Sequence, residues 1–180
     1  AQADSKEFFE SLEARVLRPL GMDDSRCAIQ SVDRPRHAQG YEVLYSDRPS
    51  FRPFPIGPAP WVDVETGAGC VAATSADMAK FLRYLIELAQ GRGGPVLSDA
   101  NAAAFMANPA AAPGWSETAH YGNGLARLTI DDRRRRYLHH TGGMVSFSSS
   151  MHVDVEAGVA AFASSNVSFD FGYRPRDITL

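Results

Sequence analysis

The sequence predicts an α+β protein in which an antiparallel β-sheet is flanked by helices. Three observations carry that expectation. Residues 125–164 hold four short alternating segments, at 125–130, 135–140, 147–153 and 158–164, joined by only a few residues each. Strands connected that tightly pair antiparallel, because parallel pairing needs a crossover of a dozen residues or more. Upstream, two stretches repeat apolar residues at helical spacing. The totals fit one globular domain with a sizeable core: 180 residues, 44% hydrophobic and 22% charged.

Residues 5–18 read as the first helix, with Phe8, Phe9, Leu12, Val16 and Leu17 on one face. Asp4 and Glu7 have the spacing of a capping box. Pro19-Leu20-Gly21-Met22 ends the helix, since proline cannot extend the ladder and glycine supplies the turn. Residues 23–66 read as one long irregular region broken by Pro35, Pro49, Pro53, Pro55, Pro58 and Pro60. Its aromatics Tyr41, Tyr45, Phe51, Phe54 and Trp61 argue for packing over something. Two readings stay open for it, a flap over an active site and a surface excursion pinned by its aromatics.

Gly67-Ala68-Gly69-Cys70 leads into the second helix. Thr74 or Ser75 caps it, Asp77 sits in its first turn, and Met78, Phe81, Leu82, Leu85, Ile86 and Leu88 give it an apolar face. Gly91-Arg92-Gly93-Gly94-Pro95 stops it. Residues 98–106 predict a short third helix, and 107–114 an Ala/Pro linker. The four strands follow, with a hairpin turn at 131–134 and another at Asp154-Val155-Glu156-Ala157.

The net charge of −3 and pI near 5.9 argue against a nucleic-acid partner. No apolar run is long enough to span a bilayer, and the polar start of the chain shows no signal peptide, so localisation is left open. Cys27 and Cys70 show no metal spacing and read as two small buried thiols; nothing supports the alternative, a disulfide. The arginine run 133–136 reads as a solvated turn with local ion pairs rather than a polyanion patch. His139, His140 and His152 read as no metal site, because neighbours on a strand point to opposite faces. No cofactor is expected.

The most informative stretch is His140-Thr141-Gly142-Gly143, a basic residue at a strand end followed by Thr-Gly-Gly. Glycines there let a substrate lie close to the strand, since no Cβ intervenes. Around it stand a helix ending in Pro-Leu-Gly-Met, a Gly-rich entry to a Thr-Ser-Ala-Asp-Met helix, a Tyr-Gly-x-Gly strand start, and a last strand ending at Asn166. In that order these pieces resemble the class C β-lactamase, D-aminopeptidase and esterase group of penicillin-recognising serine hydrolases, over roughly residues 8–166. The resemblance implies part of a β-lactamase/transpeptidase-like fold. The group's signature is Ser-x-x-Lys, then Ser/Tyr-x-Asn, then Lys-Thr-Gly. His140-Thr141-Gly142 matches the third motif, in which the basic residue is often His. His139 and Ser146 stand where Gly is often found.

The first motif is missing. The two lysines are Lys6 and Lys80, and three positions before them stand Ala3 and Asp77. Tyr121-Gly122-Asn123 has the letters of the second motif, but it follows the Pro-Leu-Gly-Met helix instead of preceding it, so it reads as a glycine turn into a strand. Ser164-Ser165-Asn166 reads as a strand end. The resemblance therefore implies that residues 1–180 form a single partial domain, the C-terminal portion of such a hydrolase. The missing N-terminal part would supply the Ser nucleophile, the Lys base and the Tyr, and this chain alone would be inactive.

By the same resemblance His140, Thr141, Gly142 and Gly143 form one wall of the catalytic site. The Gly143 N–H would be half of an oxyanion hole, and His140 would hold a substrate carboxylate or assist proton transfer. The implied substrate is a small molecule or peptide with an ester, amide, peptide or lactam bond, and the parent could be exported or periplasmic. The alternative is a non-catalytic module of the same fold that binds a ligand or partner. A basic-patch protein acting through the arginine run is a third option.

Overall fold

The computed structural model describes residues 7–45, 47, 55–107, 109–130, 135–167 and 174–179. The first helix is shorter than the spacing predicts. A single α-helical stretch, α1, spans Phe8–Leu12, and a π-helical turn continues it over Glu13–Leu17. The widened turn shows as an i→i+5 bond from Arg18 N–H to the Glu13 carbonyl, 3.0 Å. Pro19, with no N–H for the carbonyl of Arg15, ends the segment. Gly21 takes φ +69° to turn the chain out, the conformation glycine adopts without strain. Asp4 lies outside the described residues, and Glu7 makes no side-chain cap bond.

The long region is less irregular than its prolines suggest. It holds a 3₁₀ turn at Ser31–Arg36 and two short antiparallel strands, β1 (Tyr41–Val43) and β2 (Ile56–Pro58). Backbone bridges tie Ile29 to Val64 and Arg26 to Ala72. Phe51 and Phe54 lie outside the described residues.

Helix α2 spans Ser75–Ala89. Thr74 is its cap, accepting the Asp77 N–H at 3.2 Å, an arrangement worth about 1 kcal/mol. Helix α3 spans Asp99–Met106 and is capped by Ser98 in the same way. Both match the sequence reading. The 107–114 segment does not: it carries a two-residue strand, β3 (Ala110–Ala111), and β4 (His120–Gly122) follows it. Each is too short to show a period of two.

The remaining strands are β5 (Leu125–Ile130), β6 (Arg135–Met144), β7 (Phe147–Asp154) and β8 (Val159–Ser165). They stand where the alternation places them, and the sheet runs β3-β4-β5-β6-β7-β8, antiparallel throughout. The 131–134 turn lies outside the described residues. One boundary moves: β6 runs four residues past His140, so Thr141-Gly142-Gly143 is strand and not the segment after one. The short helix α4 (Pro175–Thr179) closes the described chain.

The core sits on one face of the sheet. Leu82, Leu85 and Leu88 of α2 and Ala102 of α3 pack on Leu125, Leu138 and Val153. Removing the side chain of one such leucine would cost about 2–5 kcal/mol. A second cluster (Leu17, Met22 and Cys27, with Met78 and Phe81) fixes the first helix against α2. The opposite face of β7 presents Ser150 and His152 to Thr179 of α4, as strand alternation requires. Cys27 and Cys70 are buried free thiols. Burial, with the Glu13 carboxylate nearby, pushes the Cys27 thiol up to about 11.

Candidate active site

Strand β6 carries the candidate site, and its two edges end differently. On one side β7 pairs along its whole upper half, Thr141 opposite Ser150, Gly142 opposite Ser149 and Gly143 opposite Ser148. On the other side β5 stops pairing at Ala126–His139. From His140 to Met144 that edge carries no further strand among the described residues. Thr141, Gly142 and Gly143 are exposed there. An unpaired edge displays backbone donors and acceptors that a ligand can engage.

The two glycines are not equivalent. A Cβ on Gly142 would stand 2.6 Å from Oγ of Ser149, so that glycine answers to the chain's own packing. A Cβ on Gly143 would meet open space. Among the described residues of this chain, a side chain is crowded at Gly142 and not at Gly143.

His140 is half-buried at the start of the free edge. Its Nε2 lies 3.2 Å from the Tyr121 hydroxyl. Trp115 stacks on Tyr121, ring centroids 5.8 Å apart at 26°, and its ring centroid lies 6.5 Å from that of His140. An aromatic wall of Trp115 and Tyr121 thus stands beside His140. Sequence reasoning missed this. Tyr121-Gly122-Asn123 does form the expected turn into β5, with Asn123 at φ +51° and Gly124 at +79°. Its tyrosine nevertheless reaches the site, across the intervening strand.

His139 is buried, and the Trp115 ring meets it edge-on at 5.6 Å. Its Nδ1–H donates to the Met151 carbonyl at 2.8 Å, and its ring stacks on His152 with centroids 4.0 Å apart. The two pair directly across β6 and β7. A direct cross-strand pair faces one side of the sheet, so the large ring at position 139 is accommodated by a second ring opposite. His140 takes no part in this stack. Among the described residues no group of three or more His, Cys, Asp or Glu side chains is placed to hold a metal. Arg135 pairs with Asp154 at 3.1 Å and Arg136 with Glu156 at 3.4 Å, so these two arginines pair across to the end of β7 and the turn after it. Arg133 and Arg134 lie outside the described residues.

Ser146, where glycine is often found, takes φ +65° and is buried; its hydroxyl donates to Glu42 Oε1 at 3.0 Å. That bond ties the long region to the β6–β7 turn. Asn166 ties it again, donating from Nδ2 to the Gln39 carbonyl at 2.8 Å while its own carbonyl accepts the Tyr41 N–H. The long region is thereby packed against the far end of the free edge.

A family model described as Beta-lactamase matches residues 1–180. Among solved structures, an octameric penicillin-binding protein homologue from Pyrococcus abyssi superposes with a TM-score of 0.77 at 21% identity, over 96% of this chain and 36% of the other. A D-stereospecific amidohydrolase from Streptomyces sp. superposes with a TM-score of 0.69 at 19% identity, over 93% of this chain and 46% of the other. The chain thus spans less than half the length of either. No curated protein sequence matches it.

Proposed function

This chain belongs to the beta-lactamase family, and from that premise we propose that it is one wall of a serine hydrolase working through an acyl-enzyme. Ester, amide, peptide and lactam bonds are the candidate substrates. The observation that carries the reading is the free β6 edge from His140 to Gly143, open beside a half-buried imidazole.

The chemistry assigns each residue a task. A serine hydroxyl attacks the substrate carbonyl, forming a C–O bond. The leaving group departs with its bonding pair and takes a proton, and water then hydrolyses the acyl-serine. Negative charge gathers on the carbonyl oxygen in each step, and backbone N–H groups stabilise it. Gly143 is positioned to give one such donor from the free edge. His140 offers a ring nitrogen for a substrate carboxylate or a proton in transit. The Thr141 hydroxyl adds a donor. The serine and its base must come from chain beyond these 180 residues, since no Ser-x-x-Lys occurs here.

The test compares this chain with the full-length gene product on activated esters and a chromogenic lactam. The chain alone should turn over neither. The full-length product should show turnover that titrates with a covalent serine reagent. Serine-titrating turnover by the isolated chain would overturn the division of labour. A full-length product that binds these compounds without turning them over would favour a binding module.

A further inference from the structure

A cavity of about 150 Å³ lies between the long region and the β6–β7 turn. Met144, the residue after Gly143, already lines it, so its wall begins roughly 3 Å of strand beyond the proposed oxyanion donor. Its lining mixes apolar groups, Ile29, Ala59, Val64 and Phe147 among them, with Arg34, His37 and Gln39, and Trp61 forms one side. Two of these lining side chains, His37 and Arg34, pack on the Trp61 ring. The His37 ring meets it edge-on at 5.3 Å, and the Arg34 guanidinium lies 5.7 Å over its face.

The surrounding backbone is tied at several points. Ile29 and Val64 exchange two N–H···O bonds of 2.9 Å, and Ala59 N–H donates to the Gly40 carbonyl at 2.8 Å. Gly40 is fitted to this spot, for a Cβ there would stand 2.7 Å from Cβ of Ser146 and 3.0 Å from the Phe147 ring. A pocket braced in this way is preformed and spends little of a ligand's affinity on ordering.

We infer that this cavity is a specificity pocket that takes an aryl or branched-alkyl side chain of the substrate. The inference rests on the hydrolase reading above and adds the substrate's side-chain class to it. A cavity of about 150 Å³ is the size that holds a benzene ring. The flat wall of Trp61 suits a planar or branched apolar group, whose burial there removes it from water.

The experiment uses the full-length gene product with p-nitrophenyl phenylacetate and p-nitrophenyl acetate. The expected phenylacetate-to-acetate ratio of kcat/KM is about ten- to a hundredfold, the range one apolar pocket supplies. Ala38→Leu, which fills the pocket from its rim, should cut that ratio at least tenfold, and Trp61→Ala should cut it too. A ratio near one, or a ratio unchanged in both variants, would overturn the inference. If neither ester is hydrolysed, the hydrolase reading fails and the pocket is still tested by titrating toluene against the Trp61 indole N–H resonance. The resonance should move in the wild type and stay still in Ala38→Leu; a Trp61 signal indifferent to toluene in the wild type would remove the pocket.

Discussion

The Tyr121 hydroxyl stands 3.2 Å from Nε2 of His140, although one residue lies on β4 and the other on β6. Strand β5 separates them, so the bond exists only because β4, β5 and β6 pair in this register. Trp115 stacked on Tyr121 limits how far the phenol can swing. The pair therefore fixes one nitrogen of the imidazole and leaves Nδ1 for other work, which matters because the partner of one ring nitrogen sets the state of the other.

Tyr121→Phe should accordingly loosen His140 without unfolding the sheet. The hydroxyl is at the surface of the site, and one neutral hydrogen bond contributes about 0.5–1.5 kcal/mol. We expect a fall in turnover of up to about tenfold in the full-length product, with a changed pH profile and little change in Tm. His140→Ala should cost more. Equal losses in the two variants would show that the bond is not how Tyr121 acts.

The glycine pair gives a sharper separation of folding from function. Gly143→Ala places its Cβ in open space, so its stability should stay within about 0.5 kcal/mol of wild type. On the proposed function, turnover of the full-length product should nevertheless fall at least tenfold, because the added methyl would stand where the substrate approaches the donor. Gly142→Ala pushes on Ser149 and should lower Tm as well. Thermal melts beside rate measurements on both variants decide it. A destabilised Gly143→Ala would mean the open space is not there.

How much of this was legible depends on whether each feature is local. The strands from 125 to 164 could be read because alternation and tight turns are properties of neighbouring residues. The overrun of β6 could not be: Thr141-Gly142-Gly143 has no apolar alternation and stays extended only because Ser148, Ser149 and Ser150 pair with it. The β1–β2 hairpin joins Tyr41 to Pro58 across prolines that argue against strand. His140 was visible as a motif. Its neighbours Trp115 and Tyr121 were not, since their meeting follows from sheet register rather than from spacing. His139 and His152 looked like two unrelated histidines until the register set them face to face.

Asp77 is buried beneath the start of α2, where its carboxylate accepts from Asp24 N–H at 2.9 Å, Ser25 Oγ at 2.8 Å and Lys80 Nζ at 2.8 Å. Burial works to raise its pKa, but the bonds from Lys80, Ser25 and Asp24 together outweigh it and hold the carboxyl below 3.8. A depressed carboxylate contributes stability that is present above the unfolded value and lost as pH falls through the folded one. Asp77→Ala should therefore cost about 1–3 kcal/mol at neutral pH, since it orphans these donors. Urea melts at pH 7 and pH 3 should show the gap between variant and wild type shrinking in acid. A gap that grew would contradict the assignment.

The stacked histidines also lose stability in acid, but because the form they bury is the neutral one. Burial depresses His152 to about 4, and the nearby His139 and Arg176 push the same way. His139 is depressed too, chiefly by burial, though its bond to the Met151 carbonyl works against the fall. Facing the pair are Thr179 and Arg176 of α4, Ser150 of β7, and the Tyr137 and Trp115 rings, and none of them is an acid that would welcome a charge. Among the described residues Nε2 of His152 is buried with no partner, so a proton placed there would find no acceptor among them. In the unfolded chain both rings titrate near 6.5, and between that value and about 4 the unfolded state binds more protons than the folded one. Stability must then fall as pH drops through this window. Tm measured from pH 7.5 to 4 should decline from about 6.5 downward, and His152→Leu, which keeps an apolar group in the gap and removes the proton site, should flatten that decline. An unchanged slope in His152→Leu would mean that the acid sensitivity comes from elsewhere in the chain.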